Sequence, residues 1–442
     1  MESVTPKILF AASEVAPFAK VGGLGDVIGS LPKAVHALGV ETAVVAPRYK
    51  TVDKKKYRLT LAGRDAARNI LIYRARLPGS RVPVYFLENQ KHLSGGGIYF
   101  SKTAIASHRK EIDRFTFFSR AVVELLARGA FPYVPNVLHA HDWHTARLVR
   151  GVKEKRLPVK TIFTIHNLAN QGIWGKENLM GEGIRHADRV TTVSPAYAKE
   201  IQTQEFGYGL EKLLRSRKPL GIINGFDYRA LDTKSAGDAE KEKRKQLFLA
   251  RAGLRQNTGA PLFSFVARLV EQKGIQWIIP AIPRMIQECR AQFVCLGAGE
   301  TYFENALRKL AHRFRGNVHA KIGFDEVLAE RIYAASDFFL IPSLFEPSGL
   351  TQMISMHYGT VPIARATGGL KDTIRDGDTG ILFVKKEQAA FERALERAAA
   401  LYRDRREFLR MRARCRAEDF SWKQSAREYL NAYRLLLRSG VE

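Results

Sequence analysis

The chain has 442 residues, 45% of them apolar, and carries 71 Lys+Arg against 44 Asp+Glu, a formal net charge of +27. At roughly 150 residues per domain this predicts two to three domains, with enough apolar content for full cores. No apolar run nears the ~18 residues of a membrane span. The N-terminus, MESVTPKILFAASEVAP, lacks the basic-then-apolar build of a signal peptide, and Cys289, Cys295 and Cys415 form no CxxC pair. Reduced packing thiols, a cytoplasmic setting and no membrane partner are expected. The cationic excess attracts anions in general. It is spread along the chain, densest at 53–58, 241–245 and 403–416, and no helix-turn-helix, zinc-finger or RNA-recognition pattern accompanies it. No specific nucleic-acid partner is expected.

The first predicted strand is KILFAA, residues 7–12. Lys20-Val21-Gly22-Gly23-Leu24-Gly25-Asp26 follows it as a loop, and apolar spacing predicts a helix over 27–38. In an open parallel sheet, ligands bind outside the carboxyl ends of the strands. Gly22 and Gly23 let backbone amides approach an anion, and Lys20 adds a positive charge. The loop lacks the G-x-G-x-x-G spacing of a dinucleotide turn and points to an acidic small molecule such as a nucleotide sugar. Further strands are predicted at 42–46, 84–87, 137–140, 161–165, 189–193 and 221–223, with helical spacing over 113–128 between them. Alternating strands and helices indicate βαβ units and a mostly parallel sheet.

Three of these strands end in polar motifs. His139-Ala140-His141-Asp142-Trp143-His144 has the residue types of a metal site. No Cys, Glu or further His recurs at ligand spacing, so a polar cleft wall is the better reading and no metal is expected. Thr164-Ile165-His166-Asn167 delivers His166 at a strand end, as a site residue or as a satisfied histidine in a turn. Ile222-Ile223-Asn224-Gly225 is a turn signal on its own.

Residues 227–259 are charged and hold no apolar strand, reading as a connector with one polar helix. A second α/β series follows, with strands at 262–267, 292–296, 318–322, 338–341, 361–364 and 381–384. The chain closes on an amphipathic helix over 420–438. In this half Arg268 ends a strand with Lys273 five residues on, and both suit a diphosphate, Arg bidentately and Lys as a point charge. In FEPSGLTQ, Gly349 and Leu350 open the next helix, whose amides and dipole suit phosphate. Glu346 repels phosphate and suits sugar hydroxyls. The plainer alternative is a helix capped by Ser348 with a surface Glu346.

Taken in order, KVGGLGDVIGSLPKA, HAHDWHTA, FTIHNLANQG, VTTVSPAYA, GIINGFD, ARLVEQKG, IPSLFEPSGLTQM and YGTVPIARATGGLKDT resemble the bacterial and archaeal glycogen and starch synthases. The likeness runs from about residue 7 to 371. It implies two Rossmann-like α/β domains facing a central cleft, the GT-B fold. The boundaries expected are an acceptor-side domain over 1–235, a charged connector over 236–257 and a nucleotide-sugar domain over 258–419. The helix over 420–442 would pack back on the first domain.

The likeness also implies a retaining glucosyltransferase, with ADP-glucose or UDP-glucose as donor, an α-1,4-glucan as acceptor, and no cofactor. Lys20, Gly22 and Gly23 would line the donor phosphates. Asp26 and Asp142 would face the acceptor and reaction centre, and His166 and Asn224 the donor glucose. Arg268 and Lys273 would hold the diphosphate, Glu346 the glucose hydroxyls, and Ser348, Gly349, Leu350 and Thr351 the phosphate. Phe324 falls where an aromatic lies beside adenine. Other readings are a GT-B transferase with another acceptor and a silent glucan- or polyanion-binding protein.

The sequence departs from the family pattern in three places. Ser348 stands where Cys is usual. Ile354 stands where many GT-B enzymes have a second Glu. The segment after Leu87 lacks the Arg-Pro-rich loop of many bacterial members. Retention needs no glycosidase-type carboxylate pair at ~5–5.5 Å. The leaving diphosphate would take the acceptor proton, and closure of the cleft would complete the site.

Overall fold

The computed structural model describes residues 5–100, 105–231 and 237–438. The chain divides into two compact units, one formed by Met1–Asp227 with Ser421–Glu442, the other by Tyr228–Phe420. The expected boundary between residues 235 and 236 lies outside the described residues.

The first unit is built on a nine-stranded sheet. Its strands are β1 (Lys7–Ala11), β2 (Glu41–Pro47), β3 (Thr60–Asp65), β4 (Ile70–Arg76), β5 (Pro83–Glu88), β6 (Val137–His141), β7 (Lys160–Ile165), β10 (Arg189–Thr192) and β11 (Leu220–Gly221); a small separate hairpin pairs β8 (Ile173–Trp174) with β9 (Glu177–Asn178). The order is β11-β10-β7-β6-β1-β2-β5-β4-β3. Every pairing from β11 to β5 is parallel. Leu9, Phe10, Val44, Leu138 and Phe163 are fully buried, as expected where helices cover both faces of a parallel sheet. β3 and β4 add antiparallel to the β5 edge. Sequence reading gives no strand there because β3 (TLAGRD) is mostly exposed and short of apolar residues.

The first helix spans Gly23–His36. It begins earlier than expected, so Gly23 to Asp26 form its first turn and only Lys20 to Gly22 remain loop. The closing helix, Trp422–Arg438, packs on it within the same unit and buries Tyr429 and Tyr433 completely. Gly225 makes room for this: a Cβ there would lie 2.6 Å from the Trp422 Cα.

The second unit carries β12 (Leu262–Val266), β13 (Gln292–Gly297), β14 (Val318–Ile322), β15 (Phe338–Ile341), β16 (Val361–Arg365) and β17 (Ile381–Phe383). All are parallel, in the order β14-β13-β12-β15-β16-β17, which reverses beside β12. The charged segment is not a bare connector. Its helix, Asp238–Arg251, is part of this unit. Lys241 is buried and donates to the carbonyls of Tyr333 and Ala334 and, at 2.7 Å, to Thr360 Oγ1. Lys245 is buried too, with its ammonium 2.7 Å from the carboxylate of Asp337. Buried charge is tolerated only where it is paired and hydrogen-bonded, as Lys245 is with Asp337; Lys241 has only neutral acceptors, and burial pushes its pKa well below the ordinary lysine value. Among the described residues no helix is long and apolar enough to cross a membrane.

Candidate active site

In the first unit the site residues gather at the carboxyl ends of β1, β6 and β7. Glu14, three residues past β1, organises the glycine loop. Its Oε2 accepts the amides of Val21 and Gly22 at 2.7 and 2.8 Å, and its Oε1 accepts the Tyr99 hydroxyl at 2.7 Å. Adjacent amides aimed at one anion form a nest. Glu14 fills this one from within, so the Gly22 amide expected to meet a phosphate is committed inside the chain. The first turn of the helix, opened by the Gly23 and Leu24 amides, is the remaining backbone donor there. Lys20 forms an ion pair with Asp26 at 2.7 Å, both half-exposed.

Asp142 adopts φ +56°, the left-handed side that non-glycine residues rarely take. This turns its carboxylate back onto the end of β7, where Oδ1 accepts the His166 amide at 2.8 Å. Burial pushes the Asp142 pKa up to about 7 against the opposing pull of the His166 and Asn167 amides, and the nearby charge of Glu14 adds to the rise. Asp142 therefore anchors the His166 turn. The His166 ring is bound at Nε2 by His141 Nδ1, 2.9 Å away, and burial lowers its pKa to about 3. His139 Nδ1 and Nε2 meet Tyr433 Oη at 2.8 Å and Thr164 Oγ1 at 2.6 Å. The histidines of this motif are engaged with the fold, and among the described residues no group of three or more His, Cys, Asp or Glu is arranged to hold a metal. Asn224, past the edge strand β11, is buried with no partner for its Oδ1.

In the second unit the carboxyl ends of β12 and β15 enclose a cavity of ≈ 120 Å³ lined by Arg268, Lys273, Ser343 and Thr351 among others. The Lys273 ammonium lies 2.5 Å from Glu346 Oε2, which also accepts the Ser343 hydroxyl at 2.9 Å. Arg268 reaches Gln272 at 3.1 Å and is otherwise directed outward. Glu346 is buried, which the surface-residue alternative does not predict.

The helix after this loop starts at Thr351, with Leu350 as its cap residue and no side-chain cap. Ser348 does not cap it: its Oγ is buried without a partner. Gly349, expected to open the helix, has φ +74° and lies outside it. Gly368 and Gly369 hold the loop in place, since Cβ atoms there would fall 2.0 and 2.1 Å from the carbonyl oxygens of Glu346 and Ser348. Phe324 stands apart from this cluster, 87% exposed, past the edge strand β14. Sequence reasoning misses Glu14, Tyr99 and Ser343 as site residues. Only Glu14 leaves a signal, an acid directly after a buried strand.

Two Rossmann-like units, each carrying polar groups at its strand ends, fit a glycosyltransferase of the GT-B class, and the comparisons show that class. Residues 7–216 match the family model for the starch synthase catalytic domain, and residues 260–400 that for glycosyl transferases group 1. The glycogen synthase of Thermodesulfovibrio yellowstonii is 35% identical, covering 98% of both chains. That of Gloeobacter violaceus is 37% identical, covering 98% of this chain and 99% of its own. The catalytic domain of starch synthase IV from Arabidopsis thaliana, bound to ADP and acarbose, superposes with a TM-score of 0.84 at 32% identity, covering 98% of this chain and 100% of that one. Sucrose-phosphate synthase from Thermosynechococcus elongatus shares the fold, with a TM-score of 0.67 at 18% identity over 98% of this chain and 100% of its own. The chain belongs to the glycogen and starch synthase family: it is a glucosyltransferase that elongates a glucan from a nucleotide sugar.

Proposed function

We propose that the donor is ADP-glucose and that glucose passes, with retention, to the terminal 4-hydroxyl of an α-1,4-glucan, releasing ADP. The observation that carries the reading is the convergence of Arg268, Lys273 and Glu346 at the carboxyl ends of β12 and β15, beside the switch in strand order. The ADP in the Arabidopsis neighbour supports the choice of nucleotide.

In this scheme Arg268 and Lys273 bind the diphosphate, with donors from Ser348 Oγ and the backbone of Gly349, Leu350 and Thr351. Glu346 keeps Lys273 oriented and accepts from glucose hydroxyls. Phe324 lies against the base. In the first unit Lys20 and the Gly23 amide meet phosphate, His166 and Asn224 meet the donor glucose, and Asp26 and Asp142 serve the acceptor side. The C1–O bond to the β-phosphate breaks, the C1–O4 bond forms on the same face, and the 4-hydroxyl proton passes to the departing phosphate oxygen. Preorganised cations and amides stabilise the charge that grows there, at ~3–4 kcal/mol per key donor in other enzymes.

The test is transfer of labelled glucose from ADP-glucose and from UDP-glucose into glycogen. Faster incorporation from ADP-glucose supports the assignment, and a preference for UDP-glucose overturns it. Binding of glycogen with no incorporation from either donor overturns the catalytic scheme.

A further inference from the structure

The pairing of His141 with His166 has a direction, and the direction decides what His166 can recognise. The contact joins His141 Nδ1 to His166 Nε2 at 2.9 Å. A neutral imidazole has one N–H and one lone pair, so one of these two nitrogens donates and the other accepts. His141 is fully buried, between Phe10, 6.0 Å away and stacked, and His139, 4.2 Å away. Its other nitrogen, Nε2, is buried without a partner. If His141 accepted from His166, its proton would sit on Nε2 as an orphaned buried N–H. If it donates, Nε2 is a bare lone pair. Buried N–H groups without acceptors are rarer and costlier than acceptors left unfilled. A doubly protonated His141 would bury a charge with no carboxylate against it.

We propose that His141 donates to His166 and thereby fixes His166 in the Nδ1–H tautomer, so that it meets the donor hexose as a hydrogen-bond donor. The Nδ1 of His166 has no bond within the described residues, and the residue is partly exposed. It is therefore the nitrogen available to a ligand, and it would donate to a hydroxyl oxygen of the sugar. The same tautomer has no lone pair on that side, so His166 cannot act as the base that takes the acceptor proton. This agrees with the departing phosphate in that role. His141 is then a positioning residue, one strand away from the group it sets, as second-shell partners set the tautomer of functional histidines elsewhere. Asp142, the next residue, holds the backbone of the same turn at 2.8 Å. The last residue of β6 and the one after it thus fix both the ring and the main chain of His166.

The inference rests on the reading that His166 contacts the donor sugar, and the test separates the two. Full-length protein labelled with 15N-histidine gives long-range 1H–15N ring spectra that report tautomer directly, with His166 assigned by its absence in His166→Gln. The expected result is an Nδ1–H pattern for His166 that becomes mixed or reversed in His141→Phe. An Nε2–H pattern in the unaltered protein, or a pattern indifferent to His141→Phe, overturns the proposal. If His141→Phe fails to fold, His141→Gln, whose amide can still donate, is expected to keep the Nδ1–H pattern, and reversal there overturns it. In the transfer assay His141→Phe is expected to raise KM for the nucleotide sugar or lower kcat by roughly tenfold, with partial recovery in His141→Gln, the scale of one lost hydrogen bond. Full activity of His166→Ala would instead refute the sugar contact and leave the tautomer result standing.

Discussion

Acidification from pH 7 to 5.5 should destabilise the first unit, through histidines that the fold holds neutral. Burial lowers the pKa of His144 and His166 to about 3 and pushes those of His139 and His141 well below the ordinary value. The unfolded chain takes up these protons near pH 6.5, while the native ring resists until far lower pH. The stability they contribute is therefore present above 6.5 and lost as pH falls below it. Between pH 7 and 5.5 a ring held neutral throughout costs about 1 kcal/mol, so His144 and His166 together cost about 2 kcal/mol, and His139 and His141 add in the same direction. Asp142 acts in the opposite sense. With a native pKa of about 7 it gains its proton over this range while the unfolded carboxyl does not, which returns about 1.6 kcal/mol. The histidines outweigh this return, and the net is a loss of a few kcal/mol, a large part of a typical ~5–15 kcal/mol stability. Equilibrium urea unfolding followed by tryptophan fluorescence reads this unit, since Trp143, Trp174 and Trp422 belong to it. His144 packs 4.1 Å from Trp143 and 4.6 Å from Phe115, a setting that suits phenylalanine. His144→Phe should reduce the pH-dependent loss by about 1 kcal/mol whatever its effect at pH 7. A loss below about 1 kcal/mol in the unaltered protein, or an unchanged loss in His144→Phe, would refute the reasoning.

Lys20→Ala and Arg268→Ala should each lose most of the transfer rate, roughly 10²-fold or more, with circular dichroism unchanged. Near-normal turnover in either variant sinks its phosphate assignment. Transfer should rise with pH through about 7 as Asp142 ionises, and Asp142→Asn should remove that limb of the profile; an unaltered limb assigns it to another group. Gly368→Ala forces a Cβ to within 2.0 Å of the Glu346 carbonyl at φ +45°. It should displace the Glu346 loop and abolish transfer, with a thermal-stability loss above the roughly 1–2 kcal/mol of backbone strain alone because the atom it meets is backbone. Retained activity would show that the loop position is not needed.

The central strands of both sheets are legible in the sequence because parallel strands buried on both faces read as unbroken apolar runs, as in KILFAA and TIFTI. β3 is not, because an exposed edge strand needs no such run, and β4 beside it alternates buried with part-exposed residues. The polar helix Asp238–Arg251 is expected from the sequence, but its place in the second unit is hidden. Its core-facing residues include Lys241 and Lys245, and only tertiary structure reveals that carbonyls await the amine of one and Asp337 the ammonium of the other. The site follows the same division. Glycine-rich and charged motifs single out Lys20, His166, Arg268 and Glu346 in the sequence as candidates. Which donor meets which acceptor is not legible, because it depends on backbone direction. Gly22 shows this most clearly: its amide suits an anion, as the sequence suggests, but the anion is Glu14, supplied by the same chain eight residues earlier. A loop that satisfies its own nest keeps its shape without a ligand. In the proposed scheme Lys20, held by Asp26 at 2.7 Å, is the charge that a phosphate would draw away, and a half-exposed ion pair of this kind is cheap to break.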